Sequence, residues 1–323
     1  MTSASVDSRA TNPFTAHYLR ALCLMLLFNG GFLWFMCSNS YAQKRPVYVT
    51  ASFQDKNSLF IENLDKNEVE IRENGHRRTI EFMAQEELPT VYGIIFDRSI
   101  LPESDLGLRT ELRAVSSATA ARSISYELID KYLGRQAVWV ATYESDLQMA
   151  TKSATDGFSA KNAIDQLRGR RQPADSFLYA SLFGAVQYMN QRHEKRRVLI
   201  LYIQDLDPET AGKMKPLKNL LSASNVELFV VAFTRKLTNR PGMLHSAMTV
   251  SAMKELARAT SGDAFVATDY RDYYEDLVRR MHLHIRTFYT FGFEAESDDP
   301  GKLSIECTRP GSRVLCHSIV PAF

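Results

Sequence analysis

Between residues 89 and 284 the chain alternates short runs that are apolar throughout with longer segments whose apolar residues recur at helical spacing. The runs 91–96, 137–141, 198–203, 226–233 and 264–267 have the character of strands covered on both faces. Leu108, Leu112, Val115, Ile124, Leu128 and Leu133 mark a long helix that Gly134 stops. Further helices are predicted at 160–167, 178–190, 209–222 and 250–259, and the amphipathic segment 270–284 closes the series. A short segment at 146–152 is expected as an edge strand. Apolar strands separated by helices predict an α/β fold: a doubly wound, Rossmann-like, mostly parallel sheet with helices on both faces.

The flanks follow a different period. Segments 47–53, 69–72 and 79–82 alternate apolar with polar residues, and Asn74-Gly75 is the strongest two-residue hairpin signal. After the α/β stretch, 288–293, 303–307 and 314–320 return to short strands, with turns at 298–301 and at Pro310-Gly311. Each flank is too small to fold alone. The two are expected to join into one small accessory β sheet. The chain therefore divides into a leader (1–42), an N-terminal β segment (43–88), the α/β domain (89–284) and a C-terminal β segment (285–323).

The leader has three parts. Arg9, His17 and Arg20 give it a weak positive charge, an apolar run follows from Ala21 to Phe35, and Ser38-Asn39-Ser40-Tyr41-Ala42 places small residues for cleavage after Ala42. This is the pattern of a secretory signal, which makes the protein secreted or periplasmic. An uncleaved inner-membrane anchor is the alternative, since a run of about 17 residues lies at the lower edge of what spans a bilayer. Cleavage removes Cys23 and Cys37 and leaves Cys307 and Cys316 in an oxidising compartment. These flank the turn signal Arg309-Pro310-Gly311-Ser312, so a disulfide across a hairpin would contribute about 2–3 kcal/mol. Two unpaired thiols on opposite faces is the other reading, because hairpin register decides it.

Charge narrows little. The chain has 323 residues, 45% hydrophobic and 24% charged, with Lys plus Arg (39) nearly balancing Asp plus Glu (37). No global field favours nucleic acid. The basic clusters 168–171 and 195–197 fall at opposite ends of the sheet by topology and are expected as solvated loops, although Arg170 and Arg171 lead toward the ligand-binding rim.

In an open α/β sheet, ligands bind beyond the carboxyl ends of the strands. Asp97, Arg98, Ser99, Ile100 and Leu101 follow the first core strand, Gln204, Asp205, Leu206 and Asp207 follow 198–203, and 173–176 lead to the same rim. Around them the sequence resembles the VWFA-related (acidobacterial-type) family, over nearly all of 46–323. The resemblance is carried by VEIRENG (69–75), by Glu87-Leu88-Pro89 before GIIFDRS, by SFLY (176–179), by RRVLILYIQDLD (196–207), by LARATSGDAF (256–265) and by TRPGSRV (308–314). It implies a sheet of the von Willebrand factor A type and a metal-ion-dependent adhesion site in degenerate form. Asp97 and Ser99 match that site, and Ser176 stands for the usual Thr with its hydroxyl kept. Leu101 replaces a Ser and offers no oxygen, while Gln204 replaces an Asp and removes a charge. Asp205 or Asp207 would need a shifted loop to help. Since Mg²⁺ wants near-octahedral oxygen coordination, the expectation is no cofactor, with a weak Mg²⁺ or Ca²⁺ site as the alternative. A carboxylate capping nearby backbone N–H groups is the plain structural reading of Asp97.

Catalytic patterns are missing from the sequence. No GxSxG elbow, Ser/His/Asp order or glycine-rich phosphate loop occurs, and no small-molecule substrate is indicated. His282 and His284 diverge on a helix and are expected at the surface; Tyr270, Tyr273 and Tyr274 are expected to pack it. The function expected is non-enzymatic recognition of a protein or matrix-like partner by the top face, with Arg98, Leu101, Arg170, Arg171 and Asp207 on the contact rim. The alternatives are a scaffold in an envelope assembly that uses the accessory β unit, and weak metal-dependent adhesion.

Overall fold

The computed structural model describes residues 46–320, apart from 58, 86–87, 102–116, 134, 152, 154, 170–176, 205, 207, 234–241, 268–271 and 296–301. All of these fall in one compact unit, Arg45–Phe323. The leader lies outside the described residues. Among the described residues no helix is long and apolar enough to cross a membrane.

The α/β core has six strands: β5 (Thr90–Asp97), β6 (Ala137–Tyr143), β7 (Leu147–Met149), β8 (Arg196–Ile203), β9 (Val226–Phe233) and β10 (Ala264–Ala267). Their order across the sheet is β10-β9-β8-β5-β6-β7. All pairings are parallel except that of β7, which runs antiparallel to β6 at the edge. The helices are α1 (Ser117–Leu128, continued as a π turn over Ile129–Leu133), α2 (Gly157–Gln166), α3 (Leu178–Asn190), α4 (Pro208–Gly212), α5 (Met214–Ala223), α6 (Gly242–Arg258) and α7 (Asp272–Arg286). The helix expected over 209–222 breaks in two at Lys213.

The strands are apolar throughout because alternate residues enter two different cores. Ile94, Phe96, Val140, Ile200 and Phe229 pack with Ile124, Leu128, Ile164, Val278 and Met281 from α1, α2 and α7. Their neighbours Ile95, Trp139, Leu199, Leu201 and Val230 pack with Leu182, Met189, Leu221, Met253 and Leu256 from α3, α5 and α6. Gly93 makes room in this second layer: a Cβ there would lie 2.3 Å from the Trp139 ring and 2.6 Å from Leu199.

The flanks interleave, as expected, but form two antiparallel sheets instead of one. β1 (Pro46–Gln54) lies between β11 (Tyr289–Glu294) and β13 (Arg313–Val320), with β4 (Phe82–Gln85) outside β11. β2 (Val69–Glu73) lies between β12 (Leu303–Cys307) and β3 (His76–Arg78). The two sheets share one core built on Val49, Phe53, Ile71, Phe291, Phe293 and Ile305. Asn74 and Gly75, both at positive φ (51° and 86°), make the hairpin turn between β2 and β3. After Arg78 the chain leaves this hairpin, so 79–82 does not extend it, and Phe82 begins an edge strand of the other sheet. The hairpin expected around 309–312 is likewise absent, since β12 pairs with β2 while β13 pairs with β1. Cys307 is a free, half-buried thiol and belongs to a different sheet from Cys316, whose side chain lies outside the described residues.

Two further expectations are corrected at the junction of core and accessory sheets. Arg196, expected in a solvated loop, is only 5% exposed. Its Nε and Nη2 donate to the two carboxylate oxygens of Glu227 at 2.7 and 2.5 Å, and its Nη1 donates to the Ile285 carbonyl at 2.7 Å. His284, expected at the surface, is buried between the Phe60 and Phe229 rings. Burial depresses its pKa to about 4. Tyr274 packs in the core as expected, and the side chains of Tyr270 and Tyr273 lie outside the described residues.

Candidate functional site

The carboxyl end of β5 closes on Asp97, which is 2% exposed. Its side chain accepts from the Ser99 N–H at 2.9 Å and so caps the 3₁₀ turn Arg98–Ile100. The Ser99 hydroxyl, the buried Tyr143 hydroxyl and the Gln204 N–H lie near the same carboxylate and favour its ionised form. Tyr143 ends β6 and Gln204 follows β8, the two strands that flank β5. The topology therefore brings three strand tips onto one anion. Burial raises the pKa of Asp97, and the four donor groups oppose that rise.

Arg98 turns sideways along the rim. Its Nη1 donates to Glu144 Oε2 at 3.2 Å and to Gln148 Oε1 at 3.3 Å, and its Nε donates to the Arg168 carbonyl at 3.3 Å. Glu144 is itself buried, so this pair is partly shielded from solvent. Arg168 Nη1 caps the end of α2, donating to the Asp165 and Leu167 carbonyls at 2.6 and 3.0 Å. Between these arginines a cleft of about 320 Å³ opens, with Thr142, Gln148, Met149, Ala163 and Leu167 among its walls.

Leu101 requires a correction. Expected on the contact rim, it is 6% exposed and packs with Ile100 in the core layer of α1, α2 and α7. Its missing hydroxyl is explained by that burial. Ser99 is exposed at the rim and Gln204 is half-buried there. Ser176, Asp205, Asp207, Arg170 and Arg171 lie outside the described residues. The backbone next to Ser176 is fixed, because the Phe177 N–H donates to the Glu144 carbonyl at 2.7 Å.

Sequence reasoning missed Tyr143 and Glu144, which follow each other at the tip of β6, and Thr210, fully buried on α4 with its hydroxyl accepting from the Tyr179 N–H at 2.9 Å. The signal for the first two was available: they occupy the same place after the second core strand that Asp97 and Arg98 occupy after the first. Thr210 carried none.

A divalent cation such as Mg²⁺ asks for about six oxygens with a carboxylate free to bind it. Among the described residues this rim brings one buried carboxylate that accepts from the Ser99 N–H, a second carboxylate paired to Arg98, and one exposed hydroxyl.

The strand order, with its antiparallel edge strand, is that of a doubly wound, mostly parallel α/β domain, consistent with the von Willebrand factor A-like fold. No family model and no curated protein matches the sequence. Among solved structures the chain is similar to a von Willebrand factor type A protein from Catenulispora acidiphila, at 11% identity and a TM-score of 0.44, covering 86% of this chain and 73% of that one. It is also similar to an aerotolerance-related membrane protein from Bacteroides fragilis (13% identity, TM-score 0.45, 61% and 98% covered). A third is proximal thread matrix protein 1 of the mussel byssus (12% identity, TM-score 0.45, 65% and 48% covered). At these scores the likeness adds nothing to what the strand order gives.

Proposed function

We propose that this protein is an exported, non-enzymatic binding module that recognises a protein or matrix-like partner with the rim at the carboxyl ends of β5, β6 and β8, without a firmly held metal. The observation that carries this reading is the Asp97 carboxylate, which is 2% exposed, accepts from the Ser99 N–H and is faced by groups from two further strand tips. A charge so engaged organises the rim as an internal anchor and leaves the outward surface to Ser99, Arg98 and the cleft beside Arg168. Protein–protein contacts favour such arginines flanked by apolar wall residues. The absence of a nucleophile–base pair in the sequence supports a role without turnover. Export rests on the leader.

A scaffold role through the accessory sheets is the second reading, and Phe82, 42% exposed on edge strand β4, favours it. Immobilised full-length protein, tested against purified envelope and matrix proteins, separates the two. Arg98→Ala with Ser99→Arg is expected to lower capture at least tenfold with EDTA present, while Phe82→Asp leaves it unchanged. Loss on Phe82→Asp alone would transfer the function to the accessory sheets, and loss on EDTA alone would restore a metal.

A further inference from the structure

The opposite end of the sheet holds a second, more enclosed cavity of about 190 Å³. Its walls come from five parts of the chain: Thr90 and Tyr92 of β5, Lys131 and Tyr132 of the π turn after α1, Gln136 before β6, Arg196 at the start of β8, and His282 and Arg286 of α7. Three of these walls carry basic side chains, Lys131, Arg196, and His282 with Arg286, and no described carboxylate lines the cavity. Such a volume lies below the roughly 300 Å³ at which pockets for drug-sized organic ligands begin. The helix ends here in a π turn, Ile129–Leu133, that delivers Lys131 and Tyr132 to the wall. Turns of this kind recur at functional sites because they widen a helix at the cost of its regular hydrogen bonds.

We propose that this cavity binds a small oxyanion, held by Lys131 and Arg286 with the Gln136 amide as a neutral donor. Arg196 is not a direct ligand. Its three donor nitrogens serve Glu227 and the Ile285 carbonyl, and its guanidinium lies 3.8 Å from the centre of the Phe288 ring, so it acts as a fixed positive wall. Lys131 shares one donor with Glu127 at 2.5 Å on the exposed side of the helix, and an ammonium has three. Glu275 is the other carboxylate acting on Lys131. His282 stacks on Tyr132 within the cavity, and burial together with the Arg286 charge depresses its pKa to about 4. A bound anion would offset the Arg286 charge and raise that pKa. The cavity is independent of the rim reading.

The test follows the His282 ring by NMR in the full chain, with His282→Gln assigning its signal. Inorganic sulfate, phosphate and acetate are titrated separately against chloride at matched ionic strength. Sulfate is expected to shift the ring signal saturably and to move its titration midpoint upward from near 4. Lys131→Gln and Arg286→Gln are each expected to weaken apparent affinity about tenfold, as loss of one charge-assisted hydrogen bond implies. Saturation by acetate in place of sulfate and phosphate would assign the site to carboxylates within the same class. Should either variant fail to fold, the wild-type comparison with chloride still decides. No saturable shift beyond chloride with any oxyanion, or affinities unchanged in both folded variants, overturns the proposal.

Discussion

Arg196→Leu is expected to destabilise the folded protein by about 3–5 kcal/mol in urea denaturation, the loss typical of stranding one partner of a buried ion pair. Glu227 would remain, with a side chain 8% exposed and its Arg196 partner gone. The Ile285 carbonyl at the end of α7 would also lose its donor. Because Arg196 starts β8, meets β9 through Glu227 and stacks on Phe288 just before β11, the damage falls where the α/β core meets the accessory sheets. The double variant Arg196→Leu with Glu227→Leu is expected to recover most of the loss, since neither charge is then buried alone. A double variant as unstable as the single one would show that the pair is not the source of the effect.

Asp97→Ala is expected to cost about 2–3 kcal/mol, equally in EDTA and in Mg²⁺. The substitution removes the acceptor that caps the Ser99 N–H and the carboxylate that the Gln204 N–H and the buried Tyr143 hydroxyl face, and each unsatisfied buried donor costs about 1–3 kcal/mol. A metal ligand behaves otherwise, because its loss costs stability only when the ion is present. Asp97→Asn keeps the shape and removes the charge, so it is expected to cost less. The pH dependence has a definite sign. Burial holds the folded-state pKa of Asp97 above its ordinary 3.8, so the folded protein binds this proton more tightly than the unfolded chain does. The stability that proton confers is present below 3.8 and is lost as pH rises toward the folded-state value. The margin of wild type over Asp97→Asn is therefore widest in acid and narrows with rising pH, as chemical denaturation across that range would measure.

The layered core was legible because its strands are apolar on both faces, a pattern that few other architectures require. Strand 226–233 matches the observed β9 at both ends. The accessory sheets were less legible. Alternation with period two tells which face of a strand is buried, but not which neighbour it pairs with. Segment 79–82 therefore leaves the β2–β3 hairpin, and the turn at 309–312 joins strands of different sheets. At the rim, Asp97 and Gln204 do meet, as the strand-tip rule required. Leu101 misled because a leucine after a strand reads equally as a contact residue or as the first residue to fold back into the core. Its 6% exposure decides for the core. His284 was assigned to solvent from its spacing on a helix and Arg196 from its place in a basic loop cluster, and the packing of α7 against Phe60 and β9 buries them.

The most direct measurement of the central claim is the thermal midpoint of the full chain in EDTA and in 10 mM Mg²⁺, Ca²⁺ or Mn²⁺. A site filled at one hundred times its dissociation constant would add about 2.7 kcal/mol and raise the midpoint with ion concentration. The account predicts midpoints that coincide in all four conditions, for wild type and for Asp97→Asn alike. A midpoint that climbs with one ion in the wild type and stays flat in Asp97→Asn would contradict it.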